Sequence, residues 1–144
     1  MSAEFVDTNI LIYAYDELGG SRHDQALELV SGLARERRGA LSVQVLQEFY
    51  VNVTRKAARP LAPADARDRL RALSAWPCHR PGQRDLIAAS ELAERSQISF
   101  WDAMIVHSAR QLGCVVLWTE DLNSGQVIDG VEVLNPFAAA DGQS

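Results

Sequence analysis

Short apolar runs alternate along this chain with longer segments of helical period, and that alternation limits what the chain can fold into. Glu4-Phe5-Val6, Ala40-Leu41-Ser42, Val115-Val116-Leu117-Trp118 and Val131 to Leu134 read as strands, with a further extended piece near Trp76. A segment from Asn9 to Asp16 follows the first strand, capped by Asp7 or Thr8 and broken at Gly19-Gly20. Helices are then predicted from Ser21 to a stop at Gly39, over Val43 to Ala58, from Pro63 to about Ala75, over Asp85 to Ser96, and from Ser99 to a stop at Gly113. Strands so short and uniformly apolar are buried on both faces. The pattern predicts an α/β sandwich with a mainly parallel sheet flanked by helices. The 144 residues are the size of one domain, and a hydrophobic fraction of 47% is enough to bury one core. The domain is expected over residues 1–137, with residues 138–144 as a flexible C-terminal tail.

No apolar run approaches the roughly 20 residues of a membrane span, and the N-terminus lacks the basic-then-apolar order of a signal peptide. A cytoplasmic protein is expected. Cys78 and Cys114 are far apart and read as small apolar core residues, not as ligands. A net charge of −5 argues weakly against a nucleic-acid partner. Positive charge is nonetheless gathered at Arg35, Arg37 and Arg38, at Arg55, Lys56 and Arg59, and at Arg67, Arg69 and Arg71. Each cluster reads either as a solvated helix face or as a phosphate-binding patch.

Four acids carry the chemistry. Asp7 and Asp121 each follow an apolar strand, at the carboxyl edge of the sheet where open parallel sheets bind ligands. Each also has a local reading, Asp7 as an N-cap and Asp121 as an Asx-turn. Asp102 lies three residues after Ser99, in the first turn of its helix. It sits at the margin of an apolar face formed by Trp101, Ile105, Ala109 and Leu112. It reads as a cap residue or as the wall of a cleft. Glu48 lies on the polar side of its helix near Gln44 and Asn52, which suits either solvent or a cleft. Clustered carboxylates raise one another's pKa unless a cation offsets them. A set of acids without histidine or cysteine suits Mg²⁺ or Mn²⁺ rather than zinc. His23, His79 and His107 suggest no triad, and Ser42 and Ser99 read as caps. Trp76, Trp101 and Trp118 read either as buried core residues, the expected state, or as rings that stack bases.

The segments Phe5-Val6-Asp7-Thr8-Asn9-Ile10-Leu11, Gln47-Glu48-Phe49-Tyr50, Ser99-Phe100-Trp101-Asp102-Ala103 and Leu117-Trp118-Thr119-Glu120-Asp121-Leu122 resemble the PIN-domain ribonucleases in order and spacing. The stretch Asp121 to Gln126 followed by Val133-Leu134-Asn135-Pro136-Phe137 is similar to the VapC toxins of bacterial type II toxin–antitoxin pairs. The resemblance implies a PIN-like α/β/α sandwich that hydrolyses single-stranded or loop RNA. It implies Asp7, Glu48, Asp102 and Asp121 as the acidic quartet holding Mg²⁺ or Mn²⁺. Thr8 and Asn9 match the polar pair after the first acid, and Thr119 the hydroxyl before the last. Thr8 or Thr119 would orient water or phosphate, and Glu120 is an additional candidate acid. The implied partners are RNA and a small cognate antitoxin, in a homodimer or a toxin–antitoxin hetero-oligomer, with no membrane. Three alternatives stay open: a non-toxin RNA-processing nuclease, a catalytically silent binding protein of the same fold, and a phosphatase with Asp7 as nucleophile. For the last, Asn9 and the single lysine, Lys56, fit poorly.

Overall fold

A computed structural model of the chain describes residues 2–138. Apart from Ala138, the expected tail lies outside the described residues. The elements run β1 (Glu4–Val6), α1 (Thr8–Tyr15), α2 (Ser21–Glu36), β2 (Gly39–Ser42), α3 (Val43–Val51), α4 (Pro63–Leu73), β3 (Cys78–His79), α5 (Gln83–Ser96), α6 (Phe100–Gln111), β4 (Val116–Trp118), β5 (Val127–Ile128) and β6 (Val131–Leu134). The sheet order is β3-β2-β1-β4-β6-β5, parallel throughout except for the β5–β6 pair.

The chain steps outward from β1 to β2 and β3, then returns to place β4 on the other side of β1. Right-handed crossovers then put α1 to α4 on one face and α5 and α6 on the other. The packing agrees: α1 lies on α2 and α3, while α6 lies on α5 and against β2, β3, β4 and β6. The result is the expected three-layer α/β/α sandwich. It also creates a topological switch point between β1 and β4, where a crevice opens at the strands' carboxyl ends. Phe5, Val6, Leu41, Leu117 and Val133 are fully or almost fully buried between the layers. Among the described residues no helix is long and apolar enough to cross a membrane.

Local chemistry sets the boundaries. Ser42 Oγ accepts from the Val45 N–H at 3.3 Å and starts α3, and Ser99 Oγ accepts from the Asp102 N–H at 3.0 Å and starts α6. Gly39 does not end α2, as the sequence suggested. Arg37, in a left-handed conformation (φ 56°), ends it, and Gly39 opens β2. The need for glycine there is steric: a Cβ on Gly39 would come within 2.2 Å of the Trp76 ring. The helix expected over Val43 to Ala58 is α-helical only to Val51. Asn52–Lys56 continue it as a π-helical turn, closed by the Ala57 N–H on the Asn52 carbonyl at 2.9 Å. β5 was not anticipated. It is a two-residue strand turned back onto β6 through Asp129 and Gly130, both at positive φ. The Asp-Gly pair is the turn signal that marks such a hairpin.

Candidate active site

Asp7 is both an N-cap and a member of the acid cluster, so its two readings are compatible. It closes β1 beside β4, with its N–H on the Trp118 carbonyl at 3.0 Å. Its Oδ1 accepts from the Thr8 N–H at 2.7 Å and its Oδ2 from the Thr119 hydroxyl at 2.8 Å. Only 5% of Asp7 is exposed. Burial pushes its carboxyl up to about 7. The two hydrogen bonds oppose that rise, and the charges of Asp121 and Glu48 add to it.

Thr119 joins the parts. Its hydroxyl also receives the Asp121 N–H at 3.1 Å and Asn9 Nδ2 at 3.4 Å. A hydroxyl has one proton. With two N–H groups pointing at its oxygen, that proton is directed at Asp7. Thr119 is fully buried, and its hydroxyl is turned to Asp7 and to the Asp121 N–H. Thr8 reaches the other way: its hydroxyl donates to Glu48 Oε1 at 2.7 Å. That bond draws the polar face of α3 against α1. Asn52 Nδ2 donates to the Glu48 backbone carbonyl at 2.9 Å, not to its carboxylate.

Asp121 is exposed at the end of β4. Partial burial raises its carboxyl, Asp102 and Glu48 raise it further, and a hydrogen bond from Asn9 opposes them. Asp102 thus faces Asp121 electrostatically from the first turn of α6. It does not line the cleft of about 470 Å³ into which Asp7, Thr8, Asn9, Glu48, Asn52, Lys56 and Asp121 open. Glu120 stands apart from the cluster, because Arg22 of α2 neutralises it at 2.6 Å.

The donor set fits a hard cation. It is all oxygen, and it gathers negative charge where burial disfavours it. The Asn9 Oδ1 is buried without a hydrogen-bond partner, an acceptor left over at the cleft. Among the described residues no three His, Cys, Asp or Glu side chains are arranged to hold a metal ion unaided. An ion there would keep part of its hydration, as Mg²⁺ does at sites with one or two direct carboxylates.

Other expected features are placed differently. Trp101 is 64% exposed rather than buried, while α6 is buried from Ala103 to Ala109. Trp76 covers Gly39, and Trp118 Nε1 donates to Glu4 at 2.7 Å. Of the basic clusters, only the one containing Lys56 reaches the acidic cleft. Arg38 pairs with Glu4 and Glu36. Cys114 is buried, with its thiol pushed up to about 11 by burial, and Cys78 is half-buried; both are free thiols. Sequence spacing also hid a polar cluster. His79 Nδ1 lies 2.8 Å from Ser108 Oγ, and His107 Nε2 lies 2.7 Å from Asp85 Oδ1. Ser108 is 1% exposed, so this is a clasp between β3, α5 and α6 and not a nucleophilic triad.

Residues 5–127 match the PIN domain family. The chain belongs to that family. No curated protein matches it. Solved structures similar to this PIN domain include a toxin–antitoxin complex from Klebsiella pneumoniae, 24% identical, covering 94% of this chain and 98% of that one, with a TM-score of 0.67. VapBC2 from Rickettsia felis, bound to a DNA fragment from its promoter, is 22% identical over 92% of this chain and 98% of that one, with a TM-score of 0.62. VapC20 from Mycobacterium tuberculosis, described as a sarcin–ricin loop cleaving toxin, is 21% identical over 80% and 87%, with a TM-score of 0.63. At these identities the similarity establishes the shared fold.

Proposed function

We propose that this PIN domain is a Mg²⁺- or Mn²⁺-dependent endoribonuclease that hydrolyses RNA phosphodiester bonds. We infer that it works in the cytoplasm as the toxin of a type II toxin–antitoxin pair, held by a small cognate antitoxin in a hetero-oligomer. The observation that carries the catalytic part is Asp7: a buried carboxylate at the sheet's switch point, fixed by two hydrogen bonds and facing Glu48 and Asp121 across an open cleft. The toxin part is supported by the solved structures of the same fold, which include toxin–antitoxin complexes.

Asp7, Asp102 and Asp121 would hold the cation, with Glu48 as a direct or water-bridged ligand. Bound there, it would supply charge neutralisation at the phosphate and acidification of an attacking water. The protein's own part is to keep the carboxylates ionised and in place. Thr119 directs its proton to Asp7, and the Thr8 N–H supports the other oxygen. The Thr8 hydroxyl fixes Glu48, and Asn9 steadies Asp121. The Thr8 hydroxyl at the cleft is engaged as a donor to Glu48, so this reading gives the attack to water and not to a side chain. Asp7 as a phosphatase nucleophile fits less well, because such sites want a second aspartate two positions on and a lysine, whereas position 9 is Asn and the single lysine is Lys56.

The test is RNA cleavage by purified protein and by Asp7→Asn, with Mg²⁺ and with chelator. Cleavage should need both Asp7 and the cation while the variant stays folded. Undiminished cleavage by the folded variant would sink the reading. Co-purification with the product of an adjacent small gene tests the antitoxin separately.

A further inference from the structure

Among the described residues lining the acidic cleft, Lys56 is the only cation. It is there because α3 does not continue as an α-helix. A turn closed from residue i to i+5 takes more residues per revolution than an α-helical one, so each residue advances less around the axis. Through Asn52–Lys56, Lys56 therefore stays toward the side of Glu48 instead of rotating past it. π turns of this kind recur at functional sites.

Near the other end of the same helix lies an aromatic residue of α6. Gln44 Nε2 donates to the Trp101 carbonyl at 3.4 Å. The Trp101 ring is 64% exposed and braced edge-on by Phe100, with centroids 5.2 Å apart at 75°. Its neighbour Asp102 acts on Asp121 in the cluster. Gln44, Gln47, Glu48, Asn52 and Lys56 recur at helical spacing, so one polar face of α3 and its π-helical extension joins the two ends, over roughly 18 Å.

We propose that this face is the track for an unpaired RNA strand. Trp101 stacks a base at one end, Lys56 holds a backbone phosphate at the other, and the phosphodiester between them passes Asp7 and Glu48. The proposal rests on the nuclease reading above. An aromatic platform paired with a cation is the combination that holds single strands. An interface between copies would instead centre on an apolar, charge-depleted patch, whereas Trp101 sits between Gln44 and Asp102 on a face that ends in Lys56.

The test measures binding of a fluorescein-labelled, unstructured RNA oligonucleotide by anisotropy over a range of salt, in an Asp7→Asn background that does not turn over. Lys56→Gln should reduce the slope of log affinity against log salt by about 0.7. Trp101→Ala should weaken binding by roughly 5- to 100-fold, with most of it kept by Trp101→Phe. In the cleaving protein, both losses should appear more in KM than in kcat. An unchanged slope for Lys56→Gln, or unchanged affinity for Trp101→Ala, overturns the track. Unchanged affinity with a lower sedimentation mass for Trp101→Ala would assign the ring to an interface between copies. If the parent cleaves RNA and the variants bind it equally well, only the track falls. If the parent neither binds nor cleaves RNA, the nuclease reading falls with it.

Discussion

At the scale of single residues, Asp7 is the group whose folded state departs most from its free chemistry. Its carboxyl rises from an ordinary 3.8 to about 7. The native state therefore binds this proton more tightly than the unfolded state. The resulting stabilisation is complete below about 4 and is lost as pH rises toward 7, by about 4 kcal/mol in all. In chelator, Asp7→Asn should melt higher than the parent at pH 8, and the gap should close near pH 4. The hydrogen bond that the amide gives up, worth about 1 kcal/mol, is smaller than the relief. Thermal melts across this pH range check the sign, and a lower melting point for Asp7→Asn at pH 8 contradicts it. Thr119→Val acts on the same carboxyl from behind. It removes the donor to Asp7 and leaves the Asp121 N–H and Asn9 Nδ2 without their acceptor. The expected cost is about 2–4 kcal/mol. The pH–rate profile should move to higher pH, because Asp7 loses the bond that favoured its ionised form. Thr119→Ser should restore the profile. The placement of Asp7 and Asp121 at the cleft was legible in the sequence, since each follows an apolar strand. Glu48 was not. Its side of α3 reads as solvated, and what turns it into a cleft wall is a hydroxyl 40 positions away, on Thr8.

At the scale of elements, β1, β2 and β4 were readable as short apolar runs in the buried middle of the sheet, whereas β6 alternates, with Glu132 exposed between buried Val131 and Val133. α6 misled. A helical wheel looks for one apolar face, but α6 lies against four strands and α5. It is buried all round from Ala103 to Ala109, while Trp101, assigned to the apolar face, is exposed. β5 escaped because two residues carry no periodicity. Gly39 misled differently: it sits near a helix end, where glycine normally stops the helix, yet its constraint comes from the Trp76 ring. Gly39→Ala should therefore cost about 1–3 kcal/mol by overpacking, and Trp76→Leu in the same chain should recover part of it. A chemical-denaturation double-mutant cycle measures the coupling; additive losses would show that the ring is not the obstacle. The polar clasp joins three elements. Asp85 accepts from the Gly82 N–H at 2.7 Å and meets His107, and its carboxyl is held below the usual range by those bonds. A depressed folded value gives stability above the ordinary value of 3.8, lost as pH falls through the folded one. Burial lowers His79, so its share is present above 6.5 and is lost on acidification. His79→Gln should then flatten the fall in stability between pH 7 and 5. Equilibrium unfolding at the two pH values tests this, and an unchanged fall would rule His79 out as its source.

At the scale of the whole molecule, the sheet order does what no single motif does: it brings the ends of β1 and β4 together and lets α3 and α6 approach them from opposite layers. Four acids far apart in the chain thereby act on one another in a protein that already carries a net charge of −5. Bringing them together costs stability, and in the proposed reading a bound cation would offset it. The consequence is a linkage between metal, proton and fold. If Asp7 is a ligand as proposed, Mg²⁺ would bind its ionised form, so near pH 6 binding should release protons. A ligand that binds only the folded state stabilises it by RT ln(1 + [L]/Kd). Added Mg²⁺ should therefore raise the melting temperature more at pH 8, where Asp7 is ready to bind, than at pH 5, where the proton competes. Asp7→Asn and Asp121→Asn should each blunt the shift, and Glu120→Gln should not, because Arg22 already neutralises Glu120. Calorimetric titration in buffers of different ionisation enthalpy counts the released protons. A Mg²⁺ shift that ignores pH, or persists in Asp7→Asn, would place the cation outside this cleft.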